Sequence, residues 1–122
     1  MLKRSLFMGL LLALLSTAPH AQQAMEMFIP IGASPGVSNT SSIIGTIATV
    51  SASALTVSDA AGTVTVSIPK ETSIWLDRGA ATGTNQVGSR ADLKKGLTVE
   101  VKYREAARAA AVTADWIKVQ TN

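Results

Sequence analysis

The stretch SRADLKKGLTVEVKY, residues 89–103, holds a helix start, a helix stop and an alternating strand in fifteen letters. Ser89 is placed as an N-cap, with Asp92 three positions later where a helix start favours negative charge. Leu93 is the only large apolar residue of that turn and is read as a plug for an apolar core. Lys94 and Lys95 suit the end of a helix dipole, and Gly96 is the stop. A single turn has no room for an amphipathic stripe, so its role is to cap one end of a β-structure. The strand that follows points Leu97, Val99, Val101 and Tyr103 one way and Thr98, Glu100 and Lys102 the other, the period of a half-buried strand.

The rest of the chain supplies the other strands. Residues 43–50 are a β-branched run, and residues 54–59 (ALTVSD) follow with the turn-like SASA between them. In GTVTVSIP, residues 62–69, Val64, Val66 and Ile68 alternate strictly with Thr and Ser. DAAG, residues 59–62, is the hairpin loop between these runs. Residues 72–76 (TSIWL) form a short fourth candidate after Pro69, and the Gly-rich residues 77–88 read as an exposed loop. REAARAAA, residues 104–111, is too short for an isolated helix and is taken as a hairpin tip. Residues 112–120 close the chain as the last strand, with Ile117 and Val119 inward. The expected fold is all-β: a small OB-like Greek-key barrel of five to six strands with one short capping helical turn, preceded by a signal peptide and a flexible arm.

The opening MLKRSLFMGLLLALLSTAPHA has the three zones of a secretory signal: Lys3 and Arg4, an apolar run, and a small-residue exit. The apolar run is about eleven residues, short of the roughly twenty needed to cross a bilayer. Cleavage after Ala18 and cleavage after Ala21 both fit. With no cysteine after the run, a lipoprotein anchor is excluded, and no membrane span is expected after signal removal. The domains are read as a signal peptide at 1–21, a Pro/Gly/Ser-rich arm at 22–42 and the barrel domain at 43–122. Within the arm, MEMFIPI (residues 25–31) is apolar enough to pack, as an edge strand at most because of Pro30.

Charge and composition narrow the function classes. The chain carries 11 Lys+Arg and 8 Asp+Glu; losing Lys3 and Arg4 leaves nine basic residues against eight acidic ones, a net charge of +1. That gives no general argument for nucleic-acid binding. There is no cysteine, and the only histidine, His20, is lost if cleavage follows Ala21. A mature chain without either residue cannot build a common zinc site, a Ser-His-Asp triad or a Cys-His dyad. Asp77, Asp92, Asp115, Glu100 and Glu105 match no calcium-loop spacing: Asp92 is explained by capping and the other four as solvated faces. No catalytic, cofactor-binding or metal-binding residue is expected, and no cofactor.

The motifs GTIATVSASALTVSDAAGTVTVSIPKETSI, ADLKKGLTVEVKY and ADWIKV resemble the bacterial exported domain of unknown function 5666. The shared features are Gly45 to Ile47, Leu55 to Val57, Gly62 to Val66, the turn from Ala91 to Gly96, Val99 to Val101, and Ala114 to Val119. The resemblance runs from residue 43 onward, and every matched residue is structural. It implies a small OB-like barrel at the cell envelope and brings no established activity with it. The Ala- and Arg-rich residues 104–111 and the long loop after residue 76 depart from its pattern.

Candidate partner-binding residues are few. Lys94, Lys95, Lys102, Arg104 and Arg108 are read as a loosely basic region around the last hairpin, suited to anionic head groups, an anionic polymer or an acidic protein. Trp75 and Trp116 alternate with core positions and half-cover the barrel. The strands that carry the stacking aromatics of many OB barrels hold only Thr and Ser outward here. The functional expectation is a periplasmic or secreted, non-enzymatic binding module acting on an envelope protein or an anionic polymer. Two alternatives stand beside it: self-association through the arm, and oligosaccharide or single-stranded nucleic-acid binding by analogy of fold, with export counting against nucleic acid.

Overall fold

The computed structural model describes residues 29–78 and 86–121. Within them, the alternating segments become seven strands: β1 (Ser42–Val50), β2 (Ala54–Asp59), β3 (Gly62–Ser67), β4 (Ser73–Asp77), β5 (Gln86–Val87), β6 (Thr98–Tyr103) and β7 (Ala111–Gln120). β1, β2 and β3 form an antiparallel meander, β6 pairs with the other side of β1, and β7 pairs with β6. The ring closes where the start of β7 runs parallel to β3, with Thr65 opposite Ala111 and Ser67 opposite Thr113. The result is a five-stranded mixed barrel in the order β1-β2-β3-β7-β6. β4 and β5 lie outside it, β4 parallel to the second half of β7 and β5 antiparallel to β4.

Two strands serve more than one neighbour, and this lets so small a sheet close. β1 pairs with β6 over residues 42–46 and with β2 over residues 46–50, with a bulge between Ile47 and Thr49. At Gly45 the backbones of β1 and β2 come so close that a Cβ would lie 2.3 Å from the carbonyl oxygen of Ser58. A glycine there is a steric requirement. β7, ten residues long, meets β3 with its first third and β4 with its last half.

The inward side of the barrel strands is aliphatic apart from Tyr103 of β6. Ile43, Ile47, Val57, Val66, Val99, Val101, Ile117 and Val119 are almost wholly buried in one cluster, each worth about 1.5–3 kcal/mol of transfer free energy. Leu93 is 4% exposed and belongs to this cluster, so it plugs the barrel end as its position predicts. The turn before it is a three-residue 3-10 turn, Arg90–Asp92. Its cap follows the expected pairing, with Ser89 as the N-cap residue and Asp92 completing a capping box. The Ser89 backbone N–H donates to Asp92 Oδ2 at 2.7 Å, whereas the Ser89 hydroxyl lies 3.4 Å from the same oxygen. The carboxylate therefore caps the turn. Gly96 takes φ +92 as the stop, and residues 104–110 form the hairpin tip.

Of the stretch expected to be an exposed loop, residues 77–88, residues 79–85 lie outside the described residues, Asp77 ends β4 and is buried, and Gln86–Val87 is a strand. Residues 1–28, which carry the signal reading and most of the apolar MEMFIPI segment, lie outside the described residues. From Ile29 to Ser41 that arm is not a strand, and Ser42 begins β1.

Candidate functional site

The outward face of β6, β7 and β4 carries the chain's most chemically notable side chains. Register sets Glu100 opposite Lys118 and Lys118 opposite Trp75; one step along, Lys102 lies opposite Trp116 and Trp116 opposite Ser73. Glu100 and Lys118 are fully buried and Asp77 is 5% exposed. Strand alternation points these residues away from the barrel core, which is why Glu100 and Asp77 read as solvated from sequence. That expectation is corrected here: residues 29–41 lie over this face and remove it from water.

Those residues form consecutive turns, with Ala33 N–H bonded to the Pro30 carbonyl, Ser38 N–H to that of Ser34 and Ser41 N–H to that of Val37. They are tied to the sheet through its buried charges. Glu100 Oε1 accepts from Gly32 N–H at 3.0 Å, and Oε2 accepts from the Ser38 and Ser42 hydroxyls at 2.6 and 2.7 Å. Asp77 Oδ2 accepts from Ile31 N–H at 3.0 Å. Lys118 Nζ donates to Ser34 Oγ at 2.8 Å and sits 4.6 Å from the centre of the Trp116 ring, a favourable place for a cation over an aromatic face. Bonds to charged groups are worth about 1.5–3 kcal/mol each. What composition marked as a loosely attached arm is, from Ile29 on, hydrogen-bonded into the fold.

The five predicted basic residues do not form one region. Lys94 and Lys95 are exposed at the end of the barrel that holds the capping turn. Arg104 and Arg108 follow the far end of β6, which at about 3.3 Å per residue puts them some 20 Å away. Nor are the others uncompensated. Arg108 forms a two-pronged pair with Asp59, Arg104 pairs with Glu71 at 3.3 Å and Asp115 at 3.7 Å, and Lys102 lies 3.7 Å from Asp115. The Arg108 guanidinium is the main cause that pulls the Asp59 carboxyl down to about 2. Glu105 accepts from the Thr113 N–H and hydroxyl, which lowers its pKa and pins the hairpin tip. Trp116 is 9% exposed and lies under Lys118 Nζ, and Trp75 is half-buried, so neither indole is a fully exposed platform.

Sequence reading passed over Lys118, Ser34, Ser38, Ser42 and Arg90. The signal for the first four was present: a lysine between two core residues on the last strand, and three serines at four-residue spacing. Arg90 donates to the carbonyls of Ala52, Ile68 and Pro69 at 2.8–2.9 Å, so it ties the capping turn to the β1–β2 turn and the chain after β3.

The opposite side of the barrel has another character. One row of outward residues crosses four strands as Thr63, Ser58, Thr46 and Thr98. A second joins Thr65, Thr56 and Thr49. Ser58 and Thr63 share a hydroxyl–hydroxyl bond of 3.0 Å, and Thr49 and Thr56 one of 2.7 Å.

Chemically, Glu100 is within reach of two serine hydroxyls, yet its oxygens are engaged in holding residues 29–41 and the contact is closed to solvent. A general base must reach the proton it removes in a bound substrate. Among the described residues no group of three His, Cys, Asp or Glu could hold a metal ion, and no helix is long and apolar enough to cross a membrane. Comparison of the chain with protein-family models, curated proteins and solved structures finds no match.

Proposed function

We propose that this protein is an exported, non-enzymatic binding module of the bacterial envelope, built on an OB-type barrel. One observation carries the reading. The charged residues that could do chemistry, Glu100, Lys118 and Asp77, are taken up in holding residues 29–41 against the sheet. With the barrel interior filled by apolar side chains, the outer surface is left as the place to meet a partner. The strand order, with the third barrel strand parallel to the fifth, supports the OB-type assignment. The resemblance of its motifs to domain of unknown function 5666 and the signal-like residues 1–21 support export to the envelope.

Co-sedimentation of the exported chain with isolated cell envelopes tests this. Saturable binding supports the proposal. A chain that stays in the supernatant at every envelope concentration contradicts it, as does saturable hydrolytic turnover by the purified chain.

A further inference from the structure

Most of the residues read as a basic region are already engaged with carboxylates. Lys102, Arg104 and Arg108 are ion-paired, and Lys94 and Lys95 form an isolated pair at one barrel end. The broad face of β1, β2 and β3 instead presents mainly short hydroxylated side chains, with Ala48 and Ala54 among them and the exposed Val50 at the end of β1. Thr46, Thr63 and Thr65 are exposed and Thr56 half-buried, and no Asp, Glu, Lys or Arg stands among them. At the edge of this face Asp59 is neutralised by Arg108.

From this arrangement we propose that the Thr/Ser face of β1–β3 binds a neutral, hydroxyl-rich polysaccharide. The proposal rests on the binding-module reading above and names its partner class. In each of the pairs Thr49–Thr56 and Ser58–Thr63, one hydroxyl donates to the other. The accepting hydroxyl keeps its own proton free to donate outward, and both oxygens keep lone pairs. Each pair therefore shows both a donor and an acceptor, the complement of a sugar hydroxyl. Neighbouring strands repeat these groups at about 4.8 Å, and alternate residues repeat them at about 6.6 Å along a strand. The grid suits an extended chain of hydroxyls better than a compact solute. An uncharged face also matches an uncharged polymer: an anionic one would meet no cation here, and an apolar one would strip the hydroxyls of water without return.

The experiment is affinity electrophoresis of the exported chain through gels containing laminarin, dextran or mannan, with sulfated dextran as the anionic arm. Retardation by a neutral polymer that survives high salt is the expected result. The combined Thr56→Val, Thr63→Val and Thr65→Val variant keeps β-branched side chains at each position. It should melt like the parent and bind on the order of tenfold to a hundredfold more weakly. Equal retardation of parent and variant overturns the proposal, as does retention by sulfated dextran alone that salt abolishes. Absence of retardation in all the neutral gels also overturns it. If the chain still sediments with envelopes in that case, the binding-module reading stands without this face; if it does not, both fail.

Discussion

Glu100 and Lys118 face each other across β6 and β7 with no exposed surface on either, and both are bonded to the segment that covers them. A buried charge stripped of its partners is costly, commonly about 3–5 kcal/mol. Glu100→Ala orphans the Gly32 amide and the Ser38 and Ser42 hydroxyls and leaves Lys118 beside a void. It should cost about that much, a large part of the roughly 5–15 kcal/mol that holds a small domain. Glu100→Gln keeps the shape and part of the hydrogen bonding and should cost less. Urea unfolding of the two variants checks the order, and equal midpoints would remove the argument.

Leu93→Ala opens a cavity at the barrel end and should cost about 2–5 kcal/mol. The capping turn makes a second, finer distinction. Asp92→Ala loses the carboxylate that accepts from Ser89 N–H and should cost about 1 kcal/mol, while Ser89→Ala should be nearly silent. Lys94→Ala and Lys95→Ala, at exposed positions, should not shift the melting temperature. Thermal unfolding of the five variants gives the ranking.

Gly45→Ala places a methyl group 2.3 Å from the Ser58 carbonyl oxygen. Backbone cannot step aside as a flexible side chain can, so β1 and β2 must separate at the strand that joins both halves of the barrel. Overpacking of this kind costs about 1–3 kcal/mol. Alanine at Gly62, where no atom lies within 4 Å, meets no neighbour but must adopt φ +131. The first variant should therefore lose amide protection along the β1–β2 pairing, and the second only at the hairpin.

The Asp59–Arg108 pair makes a pH prediction. Arg108 holds the Asp59 carboxyl at about 2 against an ordinary 3.8. A carboxyl depressed in the folded state adds stability that is complete above its unfolded value and is lost as pH falls through its folded one. The contribution should therefore fade between about pH 3.8 and 2, and Arg108→Ala should bring the Asp59 titration back toward 3.8. As a surface pair it is worth about 0–1 kcal/mol near neutrality. Carboxyl chemical shifts followed through a pH titration test both points.

Much of the barrel was legible because alternation is local. The Val and Ile of β3, β6 and β7 declare their inward side by position alone, and Leu93 with Gly96 declares the capping turn. The role of Glu100 was not legible for the same reason. Alternation says that Glu100 points away from the core, but not that residues 29–41, some sixty positions earlier, lie across that side. Pro30, Gly32, Pro35 and Gly36 break every period, and their composition is shared by free linkers and packed turns. The basic residues failed differently. Their spacing along the chain was readable, but the pairing of Arg108 with Asp59, 49 positions away, is set by barrel closure.

Amide hydrogen exchange at Gly32 tests the central claim most directly, because that N–H is given to the buried carboxylate of Glu100. If the charged residues serve to hold this segment, Gly32 should exchange with protection comparable to the β6–β7 amides, and Glu100→Gln should lower that protection. Exchange of Gly32 at the rate of an unfolded chain, while β6 and β7 stay protected, would contradict the account. It would leave Glu100 and Lys118 open to a substrate.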